Sequence, residues 1–231
     1  MTAVVTMHVW RVGAHRVPSA IGAMALDRRR VRALAGVRFA KLLGTSRGFA
    51  VRDADPTRWA LLVSWASREA ARGFDGSPVP RGWYGRSRES WQAVLRPLAS
   101  RGRWSRTTPF DVEHGTTWDG PVAALTRARL APRRAVTFWR SVPPVAAALA
   151  HRPGLCAAFG VGEAPVGVQG TFSLWHDVAS LHAYTYEDAA HREAIRLTAA
   201  RRWYAEELFA RFAVLSASGS IDGRDPLAMA S

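Results

Sequence analysis

Several residue types and patterns are scarce or missing, and each absence removes a class of function. Cys156 is the sole cysteine, so there is no intramolecular disulfide and no multi-cysteine zinc or iron–sulfur site. Lysine is confined to Lys41, which leaves arginine as 31 of the 32 basic residues. Acids are few: 18 Asp and Glu against those 32 cations give a formal net charge of +14. Nowhere does a charge-free apolar run reach the roughly 18 residues that a spanning helix needs. The stretch Met1–Val12 also lacks a charged start followed by a long apolar run, so a soluble, cytoplasmic protein is expected. No phosphate-cradling glycine loop occurs. Gly160-Val161-Gly162 lacks a third glycine in place, and Glu163-Ala164-Pro165 is a poor helix opening, which excludes a dinucleotide fingerprint. With no Gly-x-Ser-x-Gly elbow and no His-Glu-x-x-His helix, serine hydrolases and zinc proteases fall away as well.

What is present belongs to a folded globular chain: 231 residues, 48% hydrophobic and 22% charged, with ten tryptophans that favour an aromatic-rich interior or pocket. The arginines are scattered from Arg11 to Arg224. Their densest run, Arg28-Arg29-Arg30 with Arg32, is short and not interleaved with aromatics, so no nucleic-acid partner is expected. An anionic membrane surface or an acidic redox protein suits the basic excess better.

The chain reads as two similar halves, residues 1–118 and 119–231. In the first, strands are expected at Val4–Val12, Phe39–Gly44 and Trp59–Trp65, with a last strand beginning at Gly102-Arg103-Trp104. Helix is expected at Met24–Val37 and, with breaks, from Ser67 to Arg101. In the second, strands are expected at Val122–Arg129, Leu155–Gly162, Thr171–Trp175 and Ala213–Ser216. A long helical stretch is expected from Ala179 to Phe212. Trp65 and Trp175 fall at the same place in each half. Each unit reads as roughly βαββαβ, and one such sheet has a bare apolar face that a second copy covers. The fold class expected is therefore α+β, two tandem ferredoxin-like repeats forming an intramolecular version of the dimeric α+β barrel. An ordinary α+β domain with chance similarity between its halves is the alternative.

Among the histidines, His191 stands out. At helical spacing its face continues through Ala194, Ile195, Thr198 and Ala199, while Arg192, Glu193 and Arg196 lie elsewhere. A histidine on the apolar face of a helix is placed either to ligate a haem iron or to sit in the core bonded to a carbonyl. On the same stretch Trp203-Tyr204 and Leu208-Phe209-Phe212 read as core. Arg202 with Glu206, and Glu207 with Arg211, read as four-apart helical ion pairs.

Three runs carry a family resemblance: Phe138-Trp139-Arg140-Ser141-Val142-Pro143-Pro144, Gly160-Val161-Gly162-Glu163-Ala164-Pro165 and Gln169-Gly170-Thr171-Phe172-Ser173-Leu174-Trp175. So do the C-terminal stretches His191–Arg196 and Trp203–Phe212, and in the first half Lys41–Thr45 and Arg101–Ser105. Together these resemble the spheroidene monooxygenases, over nearly the whole chain. The resemblance implies a haem-containing oxygenase that inserts oxygen from O2 into acyclic carotenoids at C2, giving 2-keto products. It also implies kinship with dimeric α+β barrel haem proteins such as chlorite dismutase and aldoxime dehydratase. On that basis haem b is the expected cofactor and His191 its iron ligand. Arg140 and Lys41 are candidates to pair with its propionates, and Trp139, Phe172 and Trp175 to line the cavity for a hydrophobic substrate. Electrons would come from an external reductase or ferredoxin, and the basic surface would suit that partner or a peripheral membrane contact. Rival readings on the same scaffold are natural-product tailoring of a small metabolite (N-oxidation or aldoxime-dehydratase-like), a non-catalytic haem- or lipid-binding barrel, and a cofactorless oxygenase.

Overall fold

Apolar residues at every second position, in runs rich in Val, Leu, Trp and Phe, build the framework. A computed structural model describes residues 4–48, 53–113, 115, 117–130, 149, 152–163, 170–187 and 204–228. Its strands are β1 (Val4–Val12), β2 (Val37–Ser46), β3 (Ala54–Trp65) and β4 (Ser87–Gly102), then β5 (Val122–Leu130), β6 (Leu155–Gly162), β7 (Gly170–Trp175) and β8 (Tyr204–Gly219). They close into an antiparallel barrel in the order β1-β3-β2-β6-β7-β5-β8-β4. Around the barrel the first half runs β4-β1-β3-β2 and the second β8-β5-β7-β6, the same permutation twice. The halves join at two seams, β2 with β6 and β4 with β8. Helices α1 (Val17–Arg32), α2 (Arg68–Phe74) and α3 (Pro78–Tyr84) lie on the outside of the first half, and α4 (Val178–Glu187) on that of the second.

Inward-facing residues fill the barrel. Met7, Leu62, Trp91, Leu95, Phe110, Phe159, Phe172 and Phe212 are all buried in one cluster. Fully burying an aliphatic or aromatic side chain contributes about 1.5–3 kcal/mol. Outside, the first half packs Trp10, Trp59, Trp65 and Trp83 between sheet and helices. The matching cluster on the second half centres on Val122, Trp175, Leu181 and Tyr184.

The α+β barrel agrees with the expectation, but three element assignments do not. Helix α1 starts at Val17, with Pro18 in its first turn, where a missing N–H costs nothing. Gly36 then turns the chain into β2 at φ +79°, and a Cβ there would meet Ala70 Cβ at 2.5 Å. Beyond α3, the stretch expected to be helical becomes β4. Trp91, Ala93 and Leu95 alternate inward there, and Pro97 is tolerated because the ladder shifts register beside it. Of the long helix expected at 179–212, the described residues hold helix in α4 as far as Glu187, whereas from Tyr204 on they form the strand β8. The segment Tyr204–Phe212 is rich in Ala, Glu, Leu and Arg, which favour helix. Pairing on both sides, with β4 and β5, overrides that preference. Leu208, Ala210 and Phe212 therefore face the barrel core. Glu206 accepts from Arg127, and Glu207 and Arg211 sit two alternations apart on a strand rather than one turn apart on a helix; Arg202 lies outside the described residues.

Candidate functional site

Among the described residues, ion networks lie at both mouths of the barrel, over its apolar filling. At one mouth Arg11 donates to Glu89 at 3.0 Å and Asp55 at 3.3 Å. Arg58 donates to Asp222 at 3.2 Å, and Arg11 also bonds Asp222. At the other, Lys41 Nζ donates to Glu163 Oε2 at 2.8 Å and Ser105 Oγ at 2.6 Å. Arg127 spans Glu163 at 2.9 Å and Glu206 at 2.6 Å, while Trp104 Nε1 donates to Glu163 Oε1 at 2.6 Å. Burial alone pushes the Glu163 carboxyl up, but the hydrogen bonds from Lys41 and Trp104 and the charges of Lys41 and Arg127 outweigh it. They hold Glu163 below the usual carboxylate range. The outer faces of the barrel are the other surfaces on which a site can be built.

The two outer faces differ. In the ladders Val4 pairs with Trp65 and Val122 with Trp175, so the strands of the two halves can be read against each other from those pairs. Where the first half carries Trp10, His8, Leu61, Val63 and Leu42, the second carries Ala128, Thr126, Thr171, Ser173 and Gly160. The first face is solid: Trp10 stacks on Trp83 at 5.4 Å between centroids, and His8 on Trp10 at 5.5 Å. His8 is the sole buried histidine among the described residues. Burial pushes its pKa down to about 4, so its ring is neutral. The second face offers a floor of small side chains, closed at the α4 side by Trp175 stacked on Tyr184 at 5.3 Å. Two cations border it. Arg96 faces Ala213 across the β4–β8 ladder and Arg211 faces Ala99, so both stems leave the same outer surface. The Nε of each is buried with no hydrogen-bond acceptor among the described residues. Trp10 Nε1, Trp59 Nε1 and Arg127 Nε also lack a partner among the described residues, and the Arg96 guanidinium lies over the Trp118 ring at 5.6 Å. Two arginines beside a floor of small side chains suit a flat apolar group that carries carboxylates.

No family model matches the chain. Spheroidene monooxygenase of Rhodobacter capsulatus is 36% identical over 220 residues, which is 94% of this chain and 91% of that protein. The chain belongs to the spheroidene monooxygenase family. The family's protein from Rubrivivax gelatinosus is 39% identical over 192 residues, covering 82% of this chain and 73% of its own. Among solved structures, an aldoxime dehydratase in complex with butyraldoxime superposes with a TM-score of 0.61 at 11% identity, over 92% of this chain and 80% of that one. A second aldoxime dehydratase gives 0.59 at 10% identity. At that identity the likeness is one of fold.

For this spheroidene monooxygenase-family chain, the sequence-derived site residues that the structure describes stand in different places. His191, Arg140 and Trp139 lie outside the described residues. Lys41 is buried in the mouth network and committed to Glu163 and Ser105. Phe172 packs inside the barrel against Phe159 at 5.4 Å and Trp91 at 6.2 Å. Trp175 stands on the second outer face, its Nε1 donating to Ser173 Oγ at 3.0 Å. Sequence reasoning missed Arg96, Arg211 and the small floor. A signal for the floor exists: Val-Ala-Ala-Leu-Thr-Arg-Ala set against Val-Val-Thr-Met-His-Val-Trp is lighter at alternate positions.

Proposed function

We propose that the chain is a haem-dependent monooxygenase inserting oxygen from O2 into a hydrophobic acyclic carotenoid of the spheroidene type, at C2. The observation that carries this reading is the lightened outer face of the second half with two arginines, Arg96 and Arg211, at its border. The name shared by the relatives supplies the reaction and substrate class and favours them over tailoring of a small metabolite. The floor of Ala124, Thr126, Ala128 and Gly160 accepts one face of a porphyrin. Arg96 and Arg211 suit its propionates, since a guanidinium binds carboxylate through two parallel bonds. His191 is the residue for the iron. Haem b, when bound, supplies an iron that takes up and activates O2. The chain's own task is to hold and orient that group, and the Trp175–Tyr184 stack keeps water from its α4 side. Electrons come from an external reductase or ferredoxin, and the substrate from a membrane that the basic chain touches peripherally.

The chain also reads as tandem ferredoxin-like halves, 1–118 and 119–231. The repeated strand permutation supports this, as does the common place of Trp65 and Trp175 at the ends of β3 and β7.

The test is an absorbance spectrum of protein expressed with a haem precursor, before and after dithionite and CO. A Soret band that shifts on reduction and on CO binding is expected, and His191→Ala loses it. Colourless protein that does not take up haemin overturns the haem reading. A normal spectrum in His191→Ala overturns the ligand assignment alone.

A further inference from the structure

Helix α1 presents a surface that the oxygenase reading does not use. Its buried side is Ala20, Ala23, Met24, Asp27 and Val31, packed against β2 and α3. The opposite side divides in two along its length. Over the first turns Pro18, Ile21, Ala25 and Leu26 form an uncharged crest, and over the last turn Arg29, Arg30 and Arg32 are exposed. Ile21 is 45% and Leu26 60% exposed; the described residues hold one other large hydrophobic so open to solvent, Tyr186. The helix's single acid, Asp27, is buried and accepts from Trp83 Nε1 at 3.1 Å and Arg30 at 3.1 Å. No carboxylate of α1 therefore faces outward.

A surface helix ordinarily turns mixed charges to water. A crest of aliphatic side chains ending in arginines and lacking acids has the composition of a helix that lies in a lipid interface. We propose that α1 is the chain's membrane-docking element. Ile21 and Leu26 enter the boundary between headgroups and acyl chains of an anionic bilayer, and Arg29 and Arg32 pair with lipid phosphates. Exposed aliphatic side chains next to arginines match an acyl boundary beneath anionic headgroups, which favours lipid over an acidic protein. The net charge of +14 adds long-range attraction to an anionic leaflet. No described helix is long and apolar enough to cross a membrane, and a helix lying in the interface does not need to be. Helix α1 packs on β2, one of the two strands of the β2–β6 seam, so the docked helix runs beside that seam. This assignment rests on the oxygenase reading only in naming the surface for its peripheral membrane contact.

Flotation of the full-length protein with vesicles tests it, using phosphatidylcholine alone and with phosphatidylglycerol added, at low and physiological salt. Wild type is expected to float with the anionic vesicles only. I21S/L26S and, separately, R29Q/R32Q weaken that binding roughly tenfold or more, with circular dichroism unchanged. R224Q, an exposed arginine on another surface, leaves it intact. Absence of flotation overturns the proposal and leaves the basic face to a protein. Flotation that I21S/L26S does not reduce also overturns it, because net charge alone then suffices. Haem-free protein that still floats ends the haem reading and not this one, and haem-loaded protein that stays in solution does the converse.

Discussion

Lys41 and Glu163 form a 2.8 Å ion pair across the seam where β2 of the first half meets β6 of the second. The lysine side chain is 9% exposed and the glutamate's 30%, so the pair is shielded enough to be worth more than a surface bridge. Removing Lys41 takes one charged donor from Glu163, which keeps Arg127 and Trp104. Lys41→Met is expected to lose on the order of 1–3 kcal/mol in urea unfolding. K41M/E163Q together should lose less than the sum of the two single variants, because the shared interaction is lost only once; strict additivity would show that the two residues do not interact.

His8 sets a pH dependence. Its imidazole is fully enclosed and titrates near 4 in the fold, against about 6.5 in an unfolded chain. Between those values the unfolded chain binds the proton and the folded one does not. Stability is therefore complete above about pH 6.5 and falls as the pH drops toward 4, by about 3 kcal/mol in all. Unfolding midpoints from pH 7.5 to 5 should decline for wild type and stay level for His8→Leu. The carboxylates at both mouths are held low, so they lose their contribution only as pH falls further, through their depressed folded values. An equal slope in His8→Leu would trace the decline to another group.

The lightened outer face makes a constructive prediction. T171L/S173V places on the second half the side chains found at Leu61 and Val63 of the first. The barrel should close as before, with an unchanged circular dichroism spectrum. Haemin titration of the apoprotein, followed by absorbance, should show binding weakened roughly tenfold or more, since each added methylene crowds a fitted surface. Unaltered haemin affinity would remove that face from consideration.

Phe172 separates packing from substrate contact. It is 1% exposed among Trp91, Phe159 and other inward residues, so Phe172→Ala opens a cavity inside the barrel and costs about 3–5 kcal/mol. The residual folded enzyme should keep its KM for a carotenoid substrate. A raised KM with unchanged stability would put the ring in the substrate path.

The barrel class was legible because its cause is local: alternating apolar strands, and a tryptophan closing the same strand in each half. Boundaries failed where the cause is remote. Tyr204–Phe212 has helix-forming residues, and only the ladders on both sides, β4 and β5, make it a strand. The same holds for Ser87–Gly102, whose neighbours β1 and β8 come from opposite ends of the chain. Lys41 was noticeable as a lone lysine, yet its partner Glu163 is 122 residues away, and no local pattern announces such a pair. Arg96 and Arg211 were hidden for a different reason. In a chain with 31 arginines, nothing in the sequence marks the two that border the small-residue floor.

The barrel is bound along two unequal edges. The β4–β8 ladder runs from Trp91↔Gly219 to Gly102↔Leu208, whereas among the described residues β2 meets β6 only from Gly44↔Gly162 to Ser46↔Gly160. Two glycines face each other at that short edge and contribute no side-chain packing to it. The long β4–β8 ladder is a spine that holds the last strands of the two halves in register, and at the other seam Lys41 ties the halves together through Glu163.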